Sequence, residues 1–436
     1  MVSAALPEGV DTKYLIEGSG CLSGLLPVFS RINESSRPFL LIQDRNTRDA
    51  AGLKLAAMFS GQRLPFSELI LKDGPFGIVD ADYSLIAEIR EIIKTRNAFP
   101  VAVGSGTIND LVKRAAFELD MPYLCVATAA SVDGYCSFGS SLVYEGFKTT
   151  LPCPAPVAVA ADTEILASAP YDMTASGYGD LYAKLAGGVD WFLADRLGVE
   201  KIHKESWDLV QKDLPLWLAA PGKLKEGDTD ALLHLFRGLT MSGSAMQVYK
   251  DSRPASGAEH LISHVWEMEH LSSNGAPLSH GFKVALATVI AVSMMEAFYS
   301  LPPEDISVEA CRPFRESWEE RQASIGKRFP NPALREMIEK PCREKWIDDD
   351  QWAARMERLA QVLPEIKVFA QKRLGSKEKV MEDLQKAGCP VSPDAFGITR
   401  EKILDVIVKA QMMRKRYTIL DALYETGQLL SIVDRL

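Results

Sequence analysis

The sequence predicts an α/β domain followed by an all-helical domain. Through the first third of the chain, short apolar runs alternate with helical patterns, which is typical of a parallel sheet covered by helices on both faces. From about Ala175 onward the chain reads as a series of helices, with Pro and Gly residues at the breaks. We therefore predict an α/β domain over residues 1–168 and an all-α domain over residues 169–436.

The elements of the α/β domain follow one another in a regular order. Apolar stretches between them show helical spacing, which predicts helices over residues 46–59, 81–95 and 109–119. A glycine-rich run at residues 18–24 is similar to a phosphate-binding turn, but no strand is predicted before it, so its glycines are interpreted as structural. Short apolar runs predict five strands, at residues 39–44, 68–71, 99–103, 123–126 and 156–162.

The composition is that of a globular protein with room for two cores. The 436 residues are 47% apolar and 25% charged, which is an ordinary balance. A net charge of −9 argues against partners such as nucleic acid or an anionic membrane. The first residues lack the basic and apolar regions of a signal peptide, and the seven cysteines include no Cys-x-x-Cys pair. We expect a cytoplasmic protein that binds neither nucleic acid nor a membrane.

Two features indicate a buried core rather than a functional segment. The most apolar stretch, residues 284–295, is short for a membrane span and runs straight into Glu296, so it is interpreted as a core helix. Cys125, Cys136 and Cys153 lie among apolar or small residues, which favours a packing role over a catalytic one.

A small-residue turn, Gly-Ser-Gly-Thr at residues 104–107, follows a predicted strand and opens a predicted helix. Glycines let the backbone approach a phosphate closely, and a helix N-terminus offers N–H groups and a partial positive charge. Such a sequence is often only a turn. Its place between a strand and a helix favours a pyrophosphate site in a Rossmann-like nucleotide-binding domain.

Asp44 ends the first predicted strand, and its spacing allows two roles. The carboxylate could accept hydrogen bonds from an adenosine ribose and repel the extra phosphate of NADP, which favours NAD(H) over NADP(H). Equally, Asp44 could only cap the helix that begins near Asn46. The spacing alone favours neither role.

One carboxylate and three imidazoles lie at the edges of predicted helices. His260 and His264 are four residues apart and would share a helix face, and His280 precedes the apolar helix. Asp180 follows a glycine, and its ordinary role would be an i, i+4 pair with Lys184. A histidine pair is likewise often only a surface or core pair. Together the carboxylate and two or three of the imidazoles predict a divalent-metal site, and Asp, His and His with an open position would suit Zn²⁺, Ni²⁺ or Fe²⁺.

Several motifs in register resemble the iron-containing alcohol dehydrogenase and dehydroquinate synthase-like superfamily. Within it, they are most similar to the branch that acts on sn-glycerol 1-phosphate. The resemblance runs from about residue 40 to about residue 289, with a further match near the C-terminus. The motifs are Gln-Asp-Arg-Asn-Thr (43–47), Val-Gly-Ser-Gly-Thr-Ile-Asn-Asp (103–110), Ala-Thr-Ala-Ala-Ser-Val-Asp-Gly-Tyr (127–135), Gly-Tyr-Gly-Asp (177–180), Ser-Arg-Pro-Ala-Ser-Gly-Ala-Glu-His (252–260), Ser-His-Gly (279–281) and Arg-Tyr-Thr-Ile-Leu (416–420).

The resemblance implies a role for each motif. Asp180, His260 and His280 would ligate the metal. Asp133 and His264 would contact the substrate and take part in catalysis. Cofactor contacts are implied for Asp44, Asn46, Thr47, Gly104, Ser105, Gly106, Thr107, Asp110, Thr128 and Ser131.

The activity that the resemblance implies is a hydride transfer that interconverts dihydroxyacetone phosphate and sn-glycerol 1-phosphate. It implies NAD(H) as cofactor, with NADP(H) as the alternative, and one divalent metal ion, Zn or Ni in preference to Fe. Arg253 would approach the phosphate of this small substrate, because a guanidinium suits phosphate geometry. We expect a homo-oligomer, a dimer or larger.

Three rival functions use the same motifs. A glycerol dehydrogenase or related polyol dehydrogenase would share the metal ligands and act on an unphosphorylated or a different phosphorylated substrate. A dehydroquinate synthase-like lyase would use NAD and a metal with no net change in NADH. A non-catalytic descendant would keep the fold for binding or assembly, although the intact Asp–His–His set argues against it.

Overall fold

The computed structural model describes residues 6–33, 35–74, 76–144, 147–273 and 275–432. Six strands form one sheet in the order β1-β8-β5-β4-β2-β3, and every neighbouring pair is parallel. Two antiparallel hairpins, β6–β7 and β9–β10, lie outside it. The strands in the described residues are β1 (Tyr14–Gly18), β2 (Phe39–Gln43), β3 (Phe66–Ile70), β4 (Phe99–Gly104), β5 (Leu124–Ala127), β6 (Ser140–Tyr144), β7 (Phe147–Leu151), β8 (Ala158–Asp162), β9 (Ser272–Ser273) and β10 (Ala276–Pro277).

Helices follow most of these strands and make up nearly all of the later chain. In the first half they are α1 (Leu26–Ile32), α2 (Arg45–Thr47), α3 (Leu53–Gly61), α4 (Ser84–Thr95), α5 (Gly106–Phe117), α6 (Thr163–Ser168), α7 (Tyr171–Tyr182), α8 (Lys184–Arg196), α9 (Lys204–Gln211), α10 (Leu214–Trp217), α11 (Pro221–Lys225) and α12 (Thr229–Tyr249). In the second half they are α13 (Ala258–Met268), α14 (His280–Phe298), α15 (Val308–Cys311), α16 (Trp318–Arg328), α17 (Pro332–Lys345), α18 (Asp349–Leu374), α19 (Lys377–Lys386), α20 (Arg400–Met413) and α21 (Ile419–Glu425).

Short helical turns connect several of these elements. A π-helical turn over Arg48–Gly52 joins α2 to α3. The 3₁₀ turns are Cys21–Leu25, Asp133–Cys136, Arg253–Ala255, Pro303–Ile306, Arg312–Phe314 and Pro393–Phe396.

The predicted fold class is confirmed, because a parallel sheet with helices precedes a region that is helical apart from the small hairpin β9–β10. All five predicted strands are present. Their residues are buried on both faces in β2, β4, β5 and β8, which is why they read as continuous apolar runs rather than as alternating patterns.

The interpretation of the run at residues 18–24 was wrong in one respect, because strand β1 does precede it. β1 carries Glu17 in its interior, and this charge hides the apolar run. The carboxylate is buried and forms an ion pair with Arg237 at 2.7 Å between Oε1 and Nε. The hairpin β6–β7 was also missed, since its polar residues give no clear strand pattern.

The strand order of the parallel sheet reverses beside β2. β2 lies between β3 and β4 in the sheet. The chain leaves β2 toward β3 on one side, but it leaves β4 toward β5 on the opposite side. In open α/β sheets, ligands bind outside the carboxyl ends of the strands at such a reversal. Asp44 follows β2 directly and Ser105 follows β4 directly, so the predicted cofactor residues lie at this edge.

The chain divides into two compact units. The first comprises Met1–Leu181, Glu205–Ala255 and Ala387–Cys389, and it contains the parallel sheet. The second comprises Tyr182–Lys204, Ser256–Lys386 and Pro390–Leu436, and it contains most of the later helices. The predicted domain boundary at residue 168 stays a prediction.

Helix α14 satisfies the length and composition of a membrane span, yet 83% of its apolar window is buried within the structure. The helix has 19 residues and is longer than the predicted segment 284–295, so its length does not exclude a membrane span. Its burial identifies it as a core helix. Apolar residues surround its whole circumference, as expected for a helix inside a protein core. The prediction of a core helix is confirmed.

A cluster of aromatic rings packs one face of the sheet in the first unit. The ring centroid of Phe59 lies 5.1 Å from those of Phe29 and Phe39 and 5.6 Å from that of Phe66. Phe59 is completely buried, so these contacts and the removal of its apolar surface from water both stabilise the unit.

Replacing Phe59 tests this core directly. We expect Phe59→Ala to lower the free energy of unfolding of the first unit by about 3–5 kcal/mol, because the change removes a buried ring and leaves a cavity. Urea denaturation measures the change. Phe76→Ala is the matched control, since Phe76 is 54% exposed and should contribute less than about 0.5 kcal/mol. Equal losses for the two variants would contradict the assignment of Phe59 to the core.

Candidate active site

The turn at residues 104–107 is built by two close approaches. A Cβ on Gly104 would lie 2.6 Å from the Cβ of Ile108, so only glycine lets α5 start this near to the end of β4. The carbonyl oxygen of Gly104 accepts a hydrogen bond of 3.2 Å from the backbone N–H of Thr128. Helix α5 then begins at Gly106 and runs for 12 residues, with its N-terminus next to the carboxyl end of β4. This geometry suits a phosphate group.

Asp44 has the capping role that the spacing allowed. Its Oδ1 accepts a hydrogen bond of 2.7 Å from the backbone N–H of Thr47, and the Thr47 hydroxyl accepts one from the Asp44 N–H in return. The capping box uses one carboxylate oxygen, so it does not exclude a second bond to a ribose. Asn46 is exposed beside it in the first turn of α2.

Asp110 forms hydrogen bonds with the start of strand β6. Its Oδ2 accepts a hydrogen bond of 3.1 Å from the backbone N–H of Ser141, and its carbonyl oxygen accepts one of 2.7 Å from the Ser140 hydroxyl. These bonds anchor strand β6 to α5. Thr128 and Ser131, which follow β5, are both buried.

Asp180 and Asp133 meet in the first unit. Asp180 lies in α7, fully buried, and its Oδ2 accepts a hydrogen bond of 3.0 Å from the backbone N–H of Asp133. A Cβ on Gly177 would lie 1.9 Å from the carbonyl oxygen of Ala130, so glycine lets α7 approach the chain that follows β5. The first position of the Gly-Tyr-Gly-Asp motif therefore requires glycine for this close approach, one helical turn before the Asp180 carboxylate.

The segment that carries Asp133 is held by residues that the sequence did not single out. The Asp133 Oδ2 accepts a hydrogen bond of 2.9 Å from the Ser242 hydroxyl. The buried Lys113 ammonium donates to the carbonyl oxygens of Gly134 and Gly139, each at 3.0 Å. No local signal reveals Lys113, because a lysine three residues after an aspartate on a helix reads as part of a solvated face.

Three imidazoles come together in the second unit. His260 and His264 lie one turn apart on α13, and His280 is the first residue of α14, whose N-terminus Ser279 caps. The ring centroid of His280 lies 5.6 Å from that of His260 and 6.2 Å from that of His264. The structure thus brings together the three histidines that the spacing had grouped.

Two carboxylates orient these rings. The Nδ1 of His260 is 2.9 Å from Oε1 of Glu259, and the Nδ1 of His280 is 2.7 Å from Oε1 of Glu267. Oε2 of the same Glu267 is 3.1 Å from the Nδ1 of His264. A carboxylate on one imidazole nitrogen fixes the tautomer and presents the other nitrogen to a metal or a proton. Neither glutamate was predicted, although Glu259 lies within a recognised motif.

The charge states of this cluster follow from burial and hydrogen bonding. Burial raises the pKa of Glu259, but hydrogen bonds from His260 and from the Gly257 backbone N–H outweigh it and hold the pKa below its usual value. Burial lowers the pKa of His264 to about 4, against the opposing effect of Glu267. The His264 ring is therefore neutral at pH 7, and its Nδ1 is held by Glu267.

Arg253 is buried, in a 3₁₀ turn of the first unit. Its backbone N–H donates to Oδ1 of Asp251 at 3.1 Å. A guanidinium forms charge-assisted hydrogen bonds with anions, so this side chain has the chemistry that binds a phosphate group.

The cysteines offer no activated nucleophile. All seven are buried and none is in a disulfide. Burial raises the pKa of Cys21 and of Cys136 to about 11 and that of Cys153 to about 12, which suppresses the reactive thiolate. The interpretation of Cys125, Cys136 and Cys153 as core residues is confirmed by their burial.

The architecture, a parallel sheet with helices followed by a helical region, is shared with solved structures. A probable glycerol dehydrogenase from Sinorhizobium meliloti superposes with a TM-score of 0.61 over 100% of both chains, at 16% identity. At that identity the likeness concerns the fold alone.

Sequence comparison defines the family. The model of the family described as "Iron-containing alcohol dehydrogenase" matches residues 18–170. The glycerol-1-phosphate dehydrogenase (NAD(P)+) of Bacillus velezensis is 35% identical over 277 residues, which cover 61% of this chain and 68% of the relative. That of Bacillus licheniformis is 27% identical over 414 residues, 94% of this chain and 88% of the relative. The chain belongs to the iron-containing alcohol dehydrogenase family.

Thiol titration tests the description of the cysteines. Because raised pKa values keep the thiols protonated and burial blocks access, we expect the native protein at pH 8 to show no rapid reaction with Ellman's reagent. In guanidinium chloride all seven cysteines should react. A fast-reacting thiol in the folded protein would mean that at least one cysteine is exposed or activated.

Proposed function

We propose that this protein is an NAD(H)-linked, metal-dependent oxidoreductase that interconverts dihydroxyacetone phosphate and sn-glycerol 1-phosphate. In the oxidative direction the carbinol carbon gives a hydride to NAD⁺ and the hydroxyl group gives up its proton, so the products are the ketone, NADH and H⁺. The observation that carries the proposal is the similarity to glycerol-1-phosphate dehydrogenases along 94% of the chain, together with the carboxylate-oriented imidazoles.

Asp180, His260 and His280 are proposed to hold the divalent metal ion. Each of the three side chains offers one ligand atom of a kind that binds such an ion. The donor chemistry fits, because two imidazoles whose Nδ1 atoms face carboxylates present Nε2 as a ligand. Mixed nitrogen and oxygen donors suit Zn²⁺, Ni²⁺ and Fe²⁺ alike, and we propose Zn²⁺ or Ni²⁺ in preference to Fe²⁺ from the family resemblance.

The cofactor is proposed to lie along the carboxyl edge of the sheet. The residues at 104–107 would hold the pyrophosphate at the start of α5, since that helix presents its N–H groups there. Asp44, with Asn46 and Thr47, would contact the adenosine ribose, and Thr128 and Ser131 would lie near the nicotinamide. Asp110 would support this edge through its bonds to the start of β6.

Substrate contacts are assigned to Asp133, His264 and Arg253. The Asp133 carboxylate, fixed by the Ser242 hydroxyl, would accept a hydrogen bond from a substrate hydroxyl. The Arg253 guanidinium would bind the phosphate through charge-assisted hydrogen bonds. Small phosphorylated polyols and ketones carry both of these groups.

Proton transfer is the chemical step that this chain's own residues perform. When bound, the metal ion supplies Lewis acidity to the substrate oxygen. Glu267 holds the Nδ1 of His264, so the Nε2 of this ring would take the hydroxyl proton and pass it to water. Asp133 would keep the neighbouring hydroxyl in place during this step.

A glycerol dehydrogenase is the second candidate. The fold is shared with structures bearing that name, from Sinorhizobium meliloti and Schizosaccharomyces pombe, at 16% and 15% identity. The more similar sequence relatives named glycerol-1-phosphate dehydrogenase favour the phosphorylated substrate. The homo-oligomeric state and the cytoplasmic location stay predictions.

The proposal is tested by NADH oxidation with chelator-treated protein. We expect activity with dihydroxyacetone phosphate only after Zn²⁺ or Ni²⁺ is restored, and at least about 100-fold lower kcat/KM with unphosphorylated dihydroxyacetone, because the phosphate contacts are lost. Higher activity on the unphosphorylated ketone would favour the glycerol dehydrogenase. Full activity without any metal would contradict the metal site.

Asp44→Asn separates the two roles of this residue. Asparagine is as good an N-cap as aspartate, so the thermal midpoint should stay close to that of the wild type. Loss of the negative charge should raise kcat/KM for NADPH relative to NADH by about tenfold, because the 2′-phosphate is no longer repelled. Steady-state kinetics with both cofactors measure the ratio. An unchanged ratio with unchanged stability would leave Asp44 with the cap alone.

A further inference from the structure

Glu267 faces two different histidines with its two oxygens. It lies on α13, almost fully buried, one turn after His264. Its Oε2 is 3.1 Å from the Nδ1 of His264, and its Oε1 is 2.7 Å from the Nδ1 of His280 on α14. The ammonium of Lys283, also buried, lies 3.7 Å from Oε1 and adds positive charge beside the carboxylate.

This arrangement imposes the same tautomer on both rings. An ionised carboxylate only accepts hydrogen bonds, so each neutral imidazole must carry its proton on Nδ1. The lone pair of each ring is then on Nε2, where it can bind a metal ion or take a proton. One side chain therefore decides the chemical state of two rings.

We propose that Glu267 is a positioning residue that couples metal binding at His280 to proton transfer at His264. The inference rests on the proposed function, since it takes the roles of these two histidines from there. Glu259 provides the contrast, because it orients His260 alone. Removal of Glu267 should therefore impair both metal binding and proton transfer. Removal of a carboxylate that orients one histidine should impair only one of these properties.

Substitutions at Glu267 affect the two hydrogen bonds to different extents. Glu267→Ala removes both acceptors. Glu267→Gln keeps the shape but offers one acceptor oxygen and one donor amide, so it can hold only one of the two rings in its present tautomer. Glu269→Gln is the matched control, because Glu269 lies two residues further along, is exposed, and pairs only at the surface with Lys409.

The first readout is metal affinity, measured on metal-free protein by competition for Zn²⁺ with a chromophoric chelator. We expect Glu267→Ala to weaken Zn²⁺ binding by about 10–100-fold, the usual effect of losing a carboxylate behind a metal-bound histidine. Glu269→Gln should bind Zn²⁺ like the wild type. This readout needs no substrate, so it tests the role of Glu267 even if dihydroxyacetone phosphate is not the substrate.

The second readout is NADH oxidation at saturating Zn²⁺ with dihydroxyacetone phosphate. We expect Glu267→Ala to lower kcat by about 100-fold, the scale of a lost general acid–base group, while KM for the ketone changes by less than about threefold. A merely structural defect would raise KM as well and would lower the thermal midpoint, which circular dichroism monitors.

The outcomes separate the two proposals. If the wild type itself does not turn over, the proposed function fails, and the Zn²⁺ affinities alone decide on Glu267. If Glu267→Ala keeps either the wild-type Zn²⁺ affinity or the wild-type kcat, the coupling is overturned. If Glu267→Ala does not fold, Glu267→Gln decides, and it overturns the inference when both its Zn²⁺ affinity and its kcat equal those of the wild type.

Discussion

The hydrogen bonds between buried carboxylates and imidazoles are the constraint on which the rest of the proposed site depends. Glu259 and Glu267 each face an Nδ1 atom, so the rings of His260 and His280 have fixed tautomers and orientations. Burial alone would raise the pKa of Glu259, and the bonds that it receives reverse this shift. Without these bonds, a histidine ring could rotate or shift its proton, and its lone pair would no longer have a defined direction.

Close backbone approaches supply the matching constraint in the first unit. Gly177 lets α7 touch the chain after β5, which places the Asp180 carboxylate at the backbone N–H of Asp133. A Cβ on Gly243 would lie 2.7 Å from the carbonyl oxygen of Asp133, so α12 approaches the same segment equally closely. Lys113 and these glycines together hold the short turn that carries Asp133. Rigid supports of this kind keep functional groups within the small tolerances that catalysis requires.

The sequence predicted the parts of this protein whose signals are local. Buried strands such as β2 and β4 read as apolar runs, and the histidine spacing at His260 and His264 reveals a helix face. Asp44 could be assigned a cap or a ribose contact, and only the structure shows the cap. Lys113 and Glu267 could not be found in this way, because each role needs a distant partner: Gly139, 26 residues from Lys113, and His280, 13 residues from Glu267. Strand β1 was hidden for the same reason, since the buried Glu17 within it is paired with the distant Arg237.

X-ray absorption spectroscopy of the Zn²⁺-loaded protein is the most direct test of the central claim, that Asp180, His260 and His280 hold the metal ion. The account predicts a first shell of nitrogen and oxygen donors at about 2.0–2.1 Å, with the multiple-scattering signature of two imidazoles. It also predicts that this signature falls to one imidazole in His280→Ala. A sulfur donor at about 2.3 Å, or a shell without imidazole, would contradict the account.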